Sequence, residues 1–160
     1  MAKPIPDGYH SVTPAITVND AAAALEFYKK AFGAKEIMRF PGPGGKGIMH
    51  AEIQIGDSKV MLGDEFQGSA RSPKSLGGVT GMLQIYVENV DASCARAEAA
   101  GATVRVPLTD MFWGDRMCRV VDPFGHEWGI ATHTEDVSVE EIARRGEEFF
   151  AKMASGGAKA

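Results

Sequence analysis

"ITVNDAAAALEFYKKAFGA", Ile16–Ala34, and "IYVENVDASCARAEAAGA", Ile85–Ala102, are one unit written twice. Each opens with alternating β-type residues, passes an Asn/Asp pair, runs through an Ala-rich helix and ends on Gly-Ala before more β-type sequence. Asp20 and Asp91 are placed to cap the two helices by accepting first-turn amides. Leu25, Tyr28 and Phe32 recur at helical spacing and mark a buried stripe. Gly33 and Gly101 fall where a left-handed residue ends a helix. Three short strand patterns follow each helix: "KEIMRF", "GIMHAEIQI" and "SKVMLGD", then "TVRVP", "RMCRVV" and "EWGIATH". The pattern is βαβββ, twice, in an α+β chain. The first module spans 11–64, a Gly/Ser/Pro-rich linker loop 65–78 and the second module 79–134. Ser138 with Glu141 starts a C-terminal helix over 138–153 by a capping box. The "SGGAKA" tail is expected to be disordered.

The whole fits a single domain of 160 residues, with 44% apolar and 24% charged residues and a formal net charge of −4. That balance, without a basic run, argues against nucleic acid as a partner. No apolar run approaches the ~18 residues that span a bilayer. The start, "MAKPIPDGYH", lacks a signal-peptide core, so the expected setting is the cytoplasm. Cys94 and Cys118 have no CxxC spacing and are expected to be free thiols.

Strand alternation sorts the side chains. Met49, Ala51, Ile53 and Ile55 share one face of their strand, and His50, Glu52 and Gln54 share the other. Leu83, Ile85 and Val87 oppose Met82, Gln84 and Tyr86, and Pro14, Ile16 and Val18 oppose Thr13, Ala15 and Thr17. The apolar faces are expected to meet the helices. The mixed faces suit a ligand cleft with a few directional polar groups, the alternative being plain solvent.

"IPDGYHSVTP" at Ile5–Pro14, "FYKKAFGA", "MHAEIQIGDSKVMLGDE", "SPKSLGG", "YVENVDA", "AAGA", "FWGDR" and "DPFGHEWGIATHTEDVS" follow in an order that resembles the glyoxalase/bleomycin-resistance/dioxygenase (vicinal oxygen chelate) superfamily, nearest its PhnB-like branch. The resemblance implies curved mixed sheets enclosing a cleft, and a homodimer with its clefts at or near the interface. It also implies four metal ligands, one on the first and last strand of each module. Those positions fall here on Thr13, Met61, Met82 and Gly129, none of which is a carboxylate or imidazole. A thioether is a poor ligand for hard or borderline metals. No metal or other cofactor is therefore expected.

The leading expectation is a metal-free small-molecule-binding protein for an aromatic, antibiotic-type ligand. Its ligand-binding residues are Thr13, Ala15, His50, Glu52, Gln54, Met61, Met82, Gln84, Tyr86, Trp113 and Arg119. The alternative is a metal-dependent lyase, isomerase or dioxygenase with a non-standard ligand set around His50 and Glu52. On one strand face at i,i+2, these two lie ~7 Å apart at Cβ, near enough to share an ion or to work as an acid–base pair. A third ligand would have to come from another strand, with Tyr86 or Glu127 the nearest. Arg116 and Asp115 are expected to tie the loop before the seventh strand. In "DPFGHEWGIATH" the expectation is a turn feeding a strand, since His126 and Glu127 fall on opposite faces.

Overall fold

The computed structural model describes residues 2–156 except Ser69. The first module runs β1 (Ala15–Val18), α1 (Ala21–Phe32), β2 (Lys35–Pro41), β3 (Ile48–Ile55) and β4 (Ser58–Asp64). After α2 (Pro73–Leu76), the second repeats it: β5 (Met82–Tyr86), α3 (Val90–Ala99), β6 (Thr103–Asp110), β7 (Asp115–Val121) and β8 (Glu127–His133). α4 (Val139–Gly156) closes the described chain, with Ser138 Oγ accepting from the Glu141 amide at 3.3 Å. The last four residues of the "SGGAKA" tail lie outside the described residues.

The sheets have matching orders, β1-β4-β3-β2 and β5-β8-β7-β6, each left unclosed. In both, the first and last strands of the module pair in parallel and the others antiparallel. The α+β fold of two βαβββ modules with a C-terminal helix is thus as expected.

Asp20 caps α1, its carboxylate accepting from the Ala23 amide at 2.9 Å, and Gly33 ends it at φ 66°. The second cap is Asn89, not Asp91: Asn89 Oδ1 accepts from the Ala92 amide at 2.9 Å. Asn89 stands four positions after Ile85, as Asp20 stands four after Ile16, so the repeat itself marks Asn89. Asp91 lies inside the first turn and pairs with Arg116. The linker is not wholly loop. Ser72 caps α2, Pro73 follows at its first position, and Gly77 ends it at φ 80°. Glu65 secures the turn by accepting from the Ser72 amide at 2.9 Å and the Ser75 hydroxyl at 2.6 Å.

The modules meet helix side to helix side. α1 and α3 pack together, and one core joins Tyr28 and Phe32 to Trp128 and Ile130. The Phe32 and Trp128 ring centres lie 4.6 Å apart. Asp122, which begins "DPFGHEWGIATH", organises this junction. Its carboxylate accepts from Tyr28 Oη at 2.7 Å, Trp128 Nε1 at 3.0 Å, and the Phe124 and His126 amides at 2.9 Å each. The stretch is a turn and a strand, as expected, and it fastens the second module to the first.

Two expectations change inside the core. Met49 is half exposed, and Ile48 is buried beside Ala51 and Ile53. Phe40 pairs with His50 and Pro41 with Ile48, so Met49 is the extra residue of a β-bulge that shifts the alternation by one. Cys94 and Cys118 are not free: they form a disulfide, with Cα atoms 6.7 Å apart. Cys94 lies on the buried face of α3 and Cys118 on the core face of β7, so packing brings together what 24 residues of sequence separate.

Candidate functional site

With both helices packed between the modules, each sheet keeps an open face turned away from the core. Large apolar side chains stand exposed there: Met38 and Phe40 on the first sheet, Met82 and Tyr86 on the second.

On the first open face Glu52 is the centre. Met38 and Met61 are its cross-strand partners. Its side chain is nevertheless buried, the residue being 6% exposed. A carboxylate in that setting needs donors, and it has two. His50 lies 3.1 Å away, Nε2 to Oε1, and the Tyr9 hydroxyl donates to Oε2. The Tyr9 bond holds the Glu52 carboxyl below its usual range, burial opposes it, and His50 adds to the lowering. The same bond raises the Tyr9 phenol. An ionised Glu52 fixes the proton of a neutral His50 on Nε2, leaving Nδ1 as an acceptor. The two therefore form an imidazole–carboxylate pair held in one orientation.

The second open face is built around Asp115, which is 6% exposed. It accepts from Tyr86 Oη and Trp113 Nε1, both at 3.0 Å, and pairs with His133 Nδ1 at 2.8 Å. Burial pushes the Asp115 carboxyl up, but the bonds from His133, Tyr86 and Trp113 outweigh it and hold it low. His133 also meets Asp136 through Nε2 at 2.9 Å. Bonds from Asp115 and Asp136 raise its imidazole above the ordinary value. Arg116 faces elsewhere, clasping Asp91 and Asp110, so Asp115 and Arg116 both act as ties.

The expected residues thus gather into two groups. Ala15, His50, Glu52 and Met61 stand together on the first face, with Ala15 opposite Met61. Met82, Gln84, Tyr86, Trp113 and Arg119 are on the second, where Gly129 pairs with both Gln84 and Arg119. Thr13 and Gln54 stand apart: Thr13 donates to the His10 carbonyl at 3.1 Å, and Gln54 to the Gly56 carbonyl at 3.0 Å in the β3–β4 turn. A groove of about 850 Å³ lies between the β3–β4 turn and β5, over Phe32, Leu83, Ile85 and Trp128. It holds neither carboxylate centre. Tyr9, Lys59 and the His133 network were not singled out from the sequence. An aromatic inside the Pro/Gly-rich "IPDGYH" arm is the one visible sign of Tyr9.

The four positions that the family resemblance assigns to a metal do not fit one. Met61, Met82 and Thr13 offer no hard anionic donor, and the Gln84 and Met82 side chains lie over Gly129. Among the described residues, no three His, Cys, Asp or Glu side chains are grouped to hold a metal ion. Likewise no helix there is long and apolar enough to cross a membrane.

Comparison with known proteins agrees with this architecture. An uncharacterized protein of Mycobacterium bovis is 43% identical over 136 residues, covering 82% of this chain and 89% of that protein. TioX from Micromonospora sp. ML1 superposes with a TM-score of 0.60 at 28% identity, over 81% of this chain and 100% of that one. A PhnB protein from Bacillus cereus shares the fold at a TM-score of 0.59 and 15% identity, over 77% and 99% of the two chains. Residues 9–130 match the family described as Glyoxalase/Bleomycin resistance protein/Dioxygenase superfamily, and with two βαβββ modules to bear out the match, the chain belongs to that superfamily.

Proposed function

We propose that this protein binds a small aromatic ligand, in the manner the family's bleomycin-resistance name implies, without a resident metal. The observation that carries the reading is the pair of open faces. Each presents exposed apolar side chains, with Phe40 56% and Tyr86 63% exposed, around one buried, fully partnered carboxylate. Apolar walls with a few fixed polar groups are the usual make-up of a ligand cleft. The open faces point away from each other, so one chain supplies two half-clefts. β1 and β5 are hydrogen-bonded on one side only. A second copy, setting its β5 edge against β1, would close each half-cleft and cover the apolar side chains. The proposed assembly is therefore a homodimer, with Met61, Met82, Tyr86 and Trp113 as stacking surfaces and His50, Gln84 and Arg119 giving direction.

The test is titration of the purified protein with aromatic antibiotics, bleomycin among them, together with its mass in solution. Saturable binding by a dimer, weakened at least tenfold in Tyr86→Ala, is the expected result. A monomer that binds none of them refutes the reading.

The His50–Glu52 dyad favours a second reading, an enzyme using His50 Nδ1 as base or, with metal, as ligand. Metal analysis separates the two. A stoichiometric ion lost in both His50→Ala and Glu52→Ala would replace the binding reading with the enzymatic one.

A further inference from the structure

Glu52 takes its two hydrogen bonds from very different sources. His50 is on its own strand, two residues away. Tyr9 is delivered by the N-terminal arm, whose residues 2–8 and 10–12 are exposed. Among the described residues, the other hydrogen bonds of residues 2–13 are internal: Lys3 to Asp7, the Tyr9 amide to Pro6, and Thr13 to His10; only at Pro14, next to β1, does a carbonyl accept from the sheet, from the Met61 amide at 2.9 Å. The arm therefore reaches the first open face through one side chain. That side chain is a phenol. Its hydroxyl donates to Glu52, and the Lys59 ammonium lies 3.8 Å from the ring centroid. A cation over the ring selects an electron-rich aromatic face, and the buried carboxylate selects a neutral hydroxyl donor. Met38 and Met61 flank the carboxylate and supply apolar contact.

We propose that Tyr9 is the chain's own stand-in for its ligand: the Glu52–Lys59 subsite recognises a neutral phenol, and Tyr9 occupies it until a ligand phenol takes its place. The inference rests on the reading of the open face as a ligand face and names the chemical class that face accepts. Exchange leaves the balance at Glu52 unchanged, because one phenolic O–H replaces another and the carboxylate has two donors before and after. The arm's tether gives Tyr9 a local concentration in the millimolar range, against which a free phenol must compete.

The experiment titrates the full chain with 4-ethylphenol and with 4-ethyltoluene, which carries a methyl in place of the hydroxyl. Tyr9→Ala is expected to tighten 4-ethylphenol by about tenfold or more, as the competing phenol is removed. It should leave 4-ethyltoluene within about twofold, and adding Glu52→Leu should abolish the phenol's gain. Tyr9→Phe keeps the ring and guards against a folding loss in Tyr9→Ala. It should shift 4-ethylphenol in the same direction. Unchanged or weaker 4-ethylphenol binding in both variants, while aromatic antibiotics still bind the native protein, overturns the stand-in and leaves the proposed function in place. No aromatic binding by any form overturns both.

Discussion

Replacing Asp122 tests how the two modules are held together. Its carboxylate serves four donors: Tyr28 Oη, Trp128 Nε1 and the Phe124 and His126 amides. Tyr28 and Trp128 are both 0% exposed, so water cannot take over for them without a rearrangement. A buried donor left without its acceptor costs about 1–3 kcal/mol. The two ring donors alone put Asp122→Ala near ~4 kcal/mol, and the Phe124 and His126 amides add to that. That is a large part of the 5–15 kcal/mol typical of a domain. Asp122→Asn keeps an oxygen for the amides but turns a donor toward the Trp128 indole, and should cost roughly 1–2 kcal/mol. Tyr28→Phe leaves Asp122 three donors and should cost about 1 kcal/mol. The double variant Asp122→Ala/Tyr28→Phe must cost less than the sum, because the second change removes a donor that the first had orphaned. Urea unfolding followed by Trp128 fluorescence, in a Trp113→Phe background, measures all four. A loss under about 1 kcal/mol for Asp122→Ala, or a strictly additive cycle, would refute the reasoning.

Reducing the Cys94–Cys118 bond opens a loop whose ends are 24 residues apart, which on chain-entropy grounds costs ~3.5 kcal/mol. Urea midpoints with and without a phosphine reductant check this, and equal midpoints despite complete thiol alkylation would contradict it. His133, raised above its ordinary 6.5 by Asp115 and Asp136, contributes stability in full below that value and loses it as pH rises through the raised one. The melting temperature of the native protein should therefore fall toward that of His133→Gln as pH rises above 6.5; a constant gap would exclude the linkage. A Cβ on Gly63 would meet the Met49 carbonyl at 2.5 Å, whereas one on Gly129 meets the movable end of Gln84. Gly63→Ala should cost roughly 1–3 kcal/mol and Gly129→Ala under about 1 kcal/mol, so equal unfolding midpoints for the two variants would contradict this assignment.

The fold was legible because its evidence is local. Strand alternation, helix spacing, the Asp20 and Gly33 caps and the near-equal repeat depend only on near neighbours. "SPKSLGG" held the signals of α2 as well, a Ser cap, a Pro start and a Gly end, but its composition reads as loop. The Met49 bulge was hidden because alternation carries no mark of an inserted residue until the partner strand is known. The polar centres were half legible. His50 and Glu52 are two residues apart and on one face, so the pair could be read directly. Tyr9 reaches Glu52 across 43 residues, and Cys94 reaches Cys118 across 24. Contacts of that kind are decided by packing and leave no periodic trace.

The duplication behind the fold kept the backbone of its two halves and let their polar groups part. Both open faces set a phenol and an imidazole on a buried carboxylate, but the first adds the Lys59 ammonium over its phenol, and the second adds the Trp113 indole with the Gln84 amide and Arg119 guanidinium nearby. A cleft made of one face of each kind would have unlike walls. A guest inside it would have a head and a tail, held one way round, and the dimer's rotation would repeat that polarity at a second, oppositely directed cleft. Symmetry in the scaffold would then yield handed recognition at each site.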